Sequence, residues 1–161
     1  MTCLAMVSCD FLDKEPTKLT PDNYFNNADE ALSFLTSVYA PLTSQNFYGN
    51  EYMFMTGADD LSHYGGGRNP QTSGAIACNN ANSSSPQFSN LWKTLYTGID
   101  RANTFLENID KSKDISDKLL LQYTAEARFM RAYYYFTLVQ GWGDVPFKTT
   151  SIICRNITCI I

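Results

Sequence analysis

Between Pro21 and Leu42 apolar side chains recur at steps of three and four: Tyr24, Phe25, Ala28, Ala31, Leu32, Leu35, Val38, Tyr39 and Leu42. That spacing gathers them on one face of an α-helix. Asn27, followed by Ala28, Asp29 and Glu30, supplies an N-cap and an acidic first turn, so the pattern predicts a helix over 28–42 that Pro41 ends or kinks. A second run, over 86–109, keeps the same period through Phe88, Leu91, Trp92, Leu95, Tyr96, Ile99, Ala102, Leu106 and Ile109. A charged connector then leads to a third helix predicted over 116–139, with Gly141 as its stop and Pro146 preventing it from resuming. This third helix carries two apolar rows. Leu120, Tyr123, Ala127, Met130, Tyr134 and Leu138 form one, and Leu121, Ala125, Phe129, Ala132, Phe136 and Val139 the other. Rows on two sides predict burial on two faces, which needs neighbours beyond the two preceding helices.

The intervening stretch, 43–85, is a long loop rich in Gly, Ser, Asn, Thr and Pro, with Phe47, Tyr48, Tyr52, Phe54 and Tyr64 spaced along it. The last segment, 148–161, loses the helical period and concentrates Ile and Cys, as an aberrant or out-of-frame tail would. The reading is an all-α chain. Trp92-x2-Leu95 and Ala125-x3-Phe129 each echo part of the tetratricopeptide pattern, in which large and small residues let paired helices approach closely.

Composition narrows the function classes. A formal charge of -4, with only 12 Lys and Arg in 161 residues and none clustered, argues against a nucleic-acid partner. The five cysteines form no CxxC, and the one histidine, His63, stands beside Asp59 and Asp60 without a nucleophile motif, so neither a metal site nor a hydrolase is implied. Gly65-Gly66-Gly67-Arg68 lacks the GK[ST] of a phosphate loop. Near the N-terminus, Leu4-Ala5-Met6-Val7-Ser8 precedes Cys9 and a polar, acidic segment comes after it, which is how the end of a bacterial lipoprotein signal looks. On that reading 1–8 is a signal remnant and Cys9 the lipidated residue. Arg128 and Arg131, three apart on the third helix, are expected to find carboxylates across the interface, with Asp100, Glu107 and Asp144 as candidates. Trp142 is expected to pack over the helix end.

Assembled, the segments resemble the N-terminal part of SusD/RagB family lipoproteins. Cys9-Asp10-Phe11-Leu12-Asp13 with Pro16, then Asn23-Tyr24-Phe25 and Ala31-Leu32, are similar to the mature N-terminus. Ala125-Glu126-Ala127-Arg128-Phe129-Met130-Arg131-Ala132-Tyr133-Tyr134-Tyr135-Phe136, followed by Gly141-Trp142-Gly143-Asp144-Val145-Pro146, is the sharpest match, and Ala102-Asn103 fits the preceding helix. The resemblance covers 9–147 and implies an incomplete N-terminal fragment of a larger fold, built of tetratricopeptide-like helix pairs beside an irregular region. It implies a surface-exposed outer-membrane lipoprotein, not an enzyme, that takes up glycan, hands it to a TonB-dependent transporter of the SusC type, and needs no cofactor. A glycan site wants aromatic faces beside paired donors and acceptors, so Tyr48, Asp59, Asp60, Tyr64, Arg68 and Asn69 are the expected ligand contacts. The alternatives are a helical protein–protein adaptor and a non-functional truncated fragment.

Overall fold

Asn27 starts the first helix through its side chain. Its Oδ1 accepts the Glu30 backbone N–H at 2.8 Å, and the Glu30 carboxylate accepts the Asn26 backbone N–H at 2.8 Å, a reciprocal arrangement close to a capping box. The computed structural model describes residues 24–49, 82 and 85–151, and three α-helices dominate them: α1 Ala28–Tyr39, α2 Pro86–Asn108 and α3 Asp117–Trp142. No strand occurs among the described residues. Past Tyr39 the chain tightens into a short turn of 3₁₀-helix, Ala40–Thr43, around buried Pro41. A wide turn comes next over Gln45–Gly49, where the Ser44 carbonyl accepts both the Phe47 and Gly49 N–H groups and Phe47 goes into the core.

Pro at the first position opens α2, where its missing N–H costs nothing. Ser116 caps α3 by accepting the Leu119 N–H. The connection between them includes a 3₁₀ turn at Ile109–Lys111, and so short a link makes α2 and α3 antiparallel neighbours that pack on each other, with α1 in contact with both. Leu91, Leu95, Ile99, Ala102 and Phe105 of α2 meet Ala127, Met130, Tyr134 and Leu138 of α3, all buried. At one end Phe25, Phe34 and Phe105 close the core, with ring centroids 5.0 Å apart for Phe25–Phe34 and 5.9 Å for Phe25–Phe105.

One position on α2 sets how close α3 comes. A Cβ added at Gly98 would stand 2.4 Å from Tyr134 Cε2, so the tyrosine ring lies directly on the glycine backbone. This close approach explains a glycine inside a long helix, where it sacrifices about 1 kcal/mol of helix propensity relative to Ala. The Tyr134 hydroxyl then donates to the Val38 carbonyl at 2.6 Å, and Arg101 Nη1 donates to the Ser37 carbonyl at 2.9 Å. Carbonyls in the last turn of α1 are therefore capped by side chains from the two other helices. The cationic Arg101 also complements the negative end of the α1 dipole.

Four sequence expectations change in detail. Helix α3 does not stop before Gly141; it runs through Gly141 to Trp142 and ends at Gly143, whose φ of 70° is the left-handed conformation that terminates it. The extra turn carries Trp142 to Phe88 and Trp92 of α2. Of the two apolar rows, Tyr123, Ala127, Met130, Tyr134 and Leu138 are buried as expected, but Leu121, Ala125, Phe129, Ala132, Phe136 and Val139 face outward. Ala125 and Phe129, half of the tetratricopeptide echo, thus lie away from α2, and Gly98 with Tyr134 makes the close contact instead. Arg131 also finds no carboxylate among the described residues: it donates to Asn103 Oδ1 at 2.8 Å, while Arg128 is exposed.

Asn103, 1% exposed, organises the chain beyond α3. Its amide donates to the carbonyls of Lys148 and Thr150, at 3.3 and 3.1 Å, and its oxygen holds Arg131. The Tyr135 hydroxyl accepts the Lys148 N–H at 2.7 Å and donates to its carbonyl at 2.8 Å, and Glu107 accepts the Ser151 N–H at 2.7 Å. Lys148–Ser151, the first residues of the segment read as an irregular tail, are in this way strapped to both helices. Residues 152–161 lie outside the described ones.

Candidate functional site

On α2, residues 92, 93, 96, 97, 100 and 101 recur one turn apart, so the helix lines them up as a strip. They line a shallow groove of about 440 Å³ formed by Trp92, Lys93, Tyr96, Thr97, Asp100 and Arg101. A neighbouring depression of about 310 Å³ shares Thr97 and Arg101 with it and continues over Ala40, Pro41, Ser44 and Thr94. Trp92 and Tyr96 give it an aromatic wall, their rings 4.9 Å apart and tilted by 45°.

Both rings are fixed from behind. Trp142 meets Trp92 edge-on at 5.3 Å and 71°, and the Tyr96 hydroxyl donates to the Pro146 carbonyl at 2.8 Å. Burial, and then the nearby Tyr135, push the Tyr96 hydroxyl above its ordinary value of 10.0, so it stays a protonated donor near neutral pH. The polar lining mixes chemistry: Lys93 and Arg101 donate, Asp100 accepts, and so does Thr97, whose own hydroxyl proton goes to the Lys93 carbonyl at 2.8 Å. One Arg101 N–H already holds the Ser37 carbonyl, which anchors that guanidinium between the two depressions.

Of the expected ligand residues, the described portion includes Tyr48 alone. Its ring lies on Phe47 with centroids 4.3 Å apart, and its hydroxyl shares a short hydrogen bond with that of Tyr133 on α3. Tyr48 therefore pins the Gln45–Gly49 turn to the helices while much of its ring stays exposed. Asp59, Asp60, Tyr64, Arg68 and Asn69 lie outside the described residues, as does Cys9.

The groove was not singled out by sequence. Trp92 and Tyr96 read there as members of the core-facing stripe, yet both are only partly buried and sit at its edge. The available signal was the aromatic pair at i and i+4, with Lys93, Thr97 and Asp100 each one residue after a stripe position and Arg101 one before. Among the described residues no group of three or more His, Cys, Asp and Glu is placed to hold a metal, and no helix is long and apolar enough to cross a membrane.

Residues 10–156 match the SusD-like family described as starch-binding and associating with the outer membrane. Two curated SusD-like proteins of Formosa agariphila are similar to the chain, one 28% identical across 93% of it and the other 25% identical across 89%. The crystal structure of a SusD homolog from Bacteroides thetaiotaomicron superposes with a TM-score of 0.74 and 34% identity over 84% of the chain. The chain spans 30% and 29% of the lengths of the two relatives and 26% of the crystallised homolog.

Proposed function

The chain belongs to the SusD-like family, and from that membership we propose that it captures glycan at the outer membrane as part of nutrient uptake. The observation that carries this reading is the family match over residues 10–156. The mechanism is capture without covalent chemistry: aromatic faces take the C–H faces of pyranose rings, and fixed donors and acceptors sort the hydroxyls. Cys9 is the lipidated anchor in this reading and holds the protein on the outer-membrane surface. Multiple acyl chains are needed there, since one binds only marginally. The ligand passes to a TonB-dependent transporter of the SusC type, and Tyr48, Asp59, Asp60, Tyr64, Arg68 and Asn69 supply loop contacts.

Affinity gel electrophoresis tests the binding. Polysaccharide cast into the gel should slow the protein, and Asp59→Ala with Arg68→Ala should restore much of its mobility. Unchanged retardation in that double variant would remove the loop residues from the site. The anchor is tested separately, by fractionation: Cys9→Ala should leave the membrane fraction, and a variant that stays there would refute lipidation at that residue.

A further inference from the structure

Resting on the glycan-capture reading, we propose that the groove along α2 is a sugar subsite in its own right, taking two or more pyranose rings of an uncharged glycan end to end over Trp92 and Tyr96. It draws on none of the loop residues 59–69 named above.

The geometry suits that ligand in three respects. First, the aromatic wall is built before any ligand arrives. Trp92 is wedged by Trp142 and Tyr96 is tied to Pro146, so stacking a ring on them orders little that is not already ordered. Second, the polar lining offers both hydrogen-bonding senses within one strip, from Lys93, Thr97, Asp100 and Arg101. Sugar hydroxyls need both; an anionic ligand would meet the Asp100 carboxylate, and a purely apolar one would strip water from the charged lining without compensation. Third, the strip is elongated. Trp92 to Arg101 spans about 13.5 Å of helix at 1.5 Å per residue, and the neighbouring depression lies beside it over Thr94, Thr97 and Arg101 and opens toward Pro41 and Ser44. An oligosaccharide fills such a track better than a monosaccharide does.

The chain provides its own reporter. It has two tryptophans, Trp92 and Trp142, and both belong to this cluster, whereas the loop 43–85 has none. Tryptophan emission therefore reports directly on the groove.

The experiment uses the 161-residue chain. Gels containing amylopectin, laminarin, xylan or galactomannan identify the polysaccharide that retards it, and the matching hexasaccharide is then titrated while tryptophan emission is followed. A saturable change in emission is expected, with protection from acrylamide quenching. Lys93→Ala with Asp100→Ala, both partly or fully exposed, should weaken binding about tenfold, as expected for two lost hydrogen bonds of roughly 0.7 kcal/mol each. Trp92→Phe should keep most of the affinity, because it keeps an aromatic face. Retardation in the gel with unchanged emission and unchanged affinity in the double variant would overturn the subsite and leave glycan capture standing. Failure of every polysaccharide to retard the protein would defeat both readings. Proline-rich peptides also stack on such aromatic pairs, so a decaproline titration that alters emission where no sugar does would make the groove a peptide site and overturn the proposal.

Discussion

Single side chains carry much of the tertiary structure among the described residues, Asn103 among them. Its amide and carbonyl are both engaged, by Lys148 and Thr150 on one side and by Arg131 on the other. Asn103→Ala should destabilise the chain by about 2 kcal/mol, because the partners it abandons are left partly unsatisfied in a poorly solvated place. Asn103→Asp separates the two halves of the network. The carboxylate keeps Arg131, yet faces two carbonyls with no donor, so it should recover only part of the loss in urea unfolding. Tyr134 gives a pH dependence with a definite sign. Burial is the largest cause and outweighs the opposing pull of Arg101, so the hydroxyl lies well above its ordinary value of 10.0. The folded form therefore holds its proton longer than the unfolded form does. Its contribution is fully present below pH 10 and is lost as pH rises above that value, with a slope approaching about 1.4 kcal/mol per pH unit. Tyr39 and Tyr96 are shifted the same way, chiefly by burial. Thermal midpoints should fall from about pH 10 upward, and Tyr134→Phe should flatten that decline while losing the hydrogen bond to Val38 at every pH.

At the scale of helices, Gly98 decides how α2 and α3 cross. Ala is the better helix former by about 1 kcal/mol, yet its methyl would stand within 2.4 Å of the Tyr134 ring. Gly98→Ala should therefore lower stability by a net ~1–2 kcal/mol in chemical unfolding, and Gly98→Ala with Tyr134→Leu should recover part of it. A stabilised Gly98→Ala variant would show that the ring can move aside. The helices themselves were legible in sequence because a period of 3.6 over twenty residues admits no other reading, and Asn27 announced the first start. Their ends and partners were less so. Gly141 and Gly143 are indistinguishable as stops by composition; Trp142, which needs the extra turn to reach Trp92, separates them. Arg131 is satisfied by an amide whose other contacts are backbone carbonyls forty-five or more residues away, and no local pattern announces that. The α2 groove stayed hidden for a related reason: Trp92 and Tyr96 share the period of the core stripe, and only packing shows that their outer edges remain open.

For the molecule as a whole, the outer face of α3 is the least settled surface. Leu121, Phe129, Phe136 and Val139 are 72%, 67%, 60% and 52% exposed, and Ala125 and Ala132 lie between them. The row runs from 121 to 139, about 27 Å at 1.5 Å per residue, and its spacing of three and four makes it one continuous stripe rather than scattered apolar residues. Isolated exposed leucines are ordinary, but a contiguous stripe is a site of association. The inner row of the same helix already satisfies α1 and α2, so turning α3 to hide the outer row would expose Tyr134 and Leu138 and gain nothing. The 161-residue chain should therefore associate as its concentration rises, seen as increasing weight-average mass in sedimentation velocity. Phe129→Glu with Phe136→Glu should abolish that association and shift unfolding by less than about 1 kcal/mol, because neither ring supports the core of the single chain. A wild-type chain that remained monomeric across the range would mean the stripe is covered from within. In that case the same double substitution should unfold the protein rather than merely disperse it, so sedimentation and unfolding together distinguish a surface from a seam.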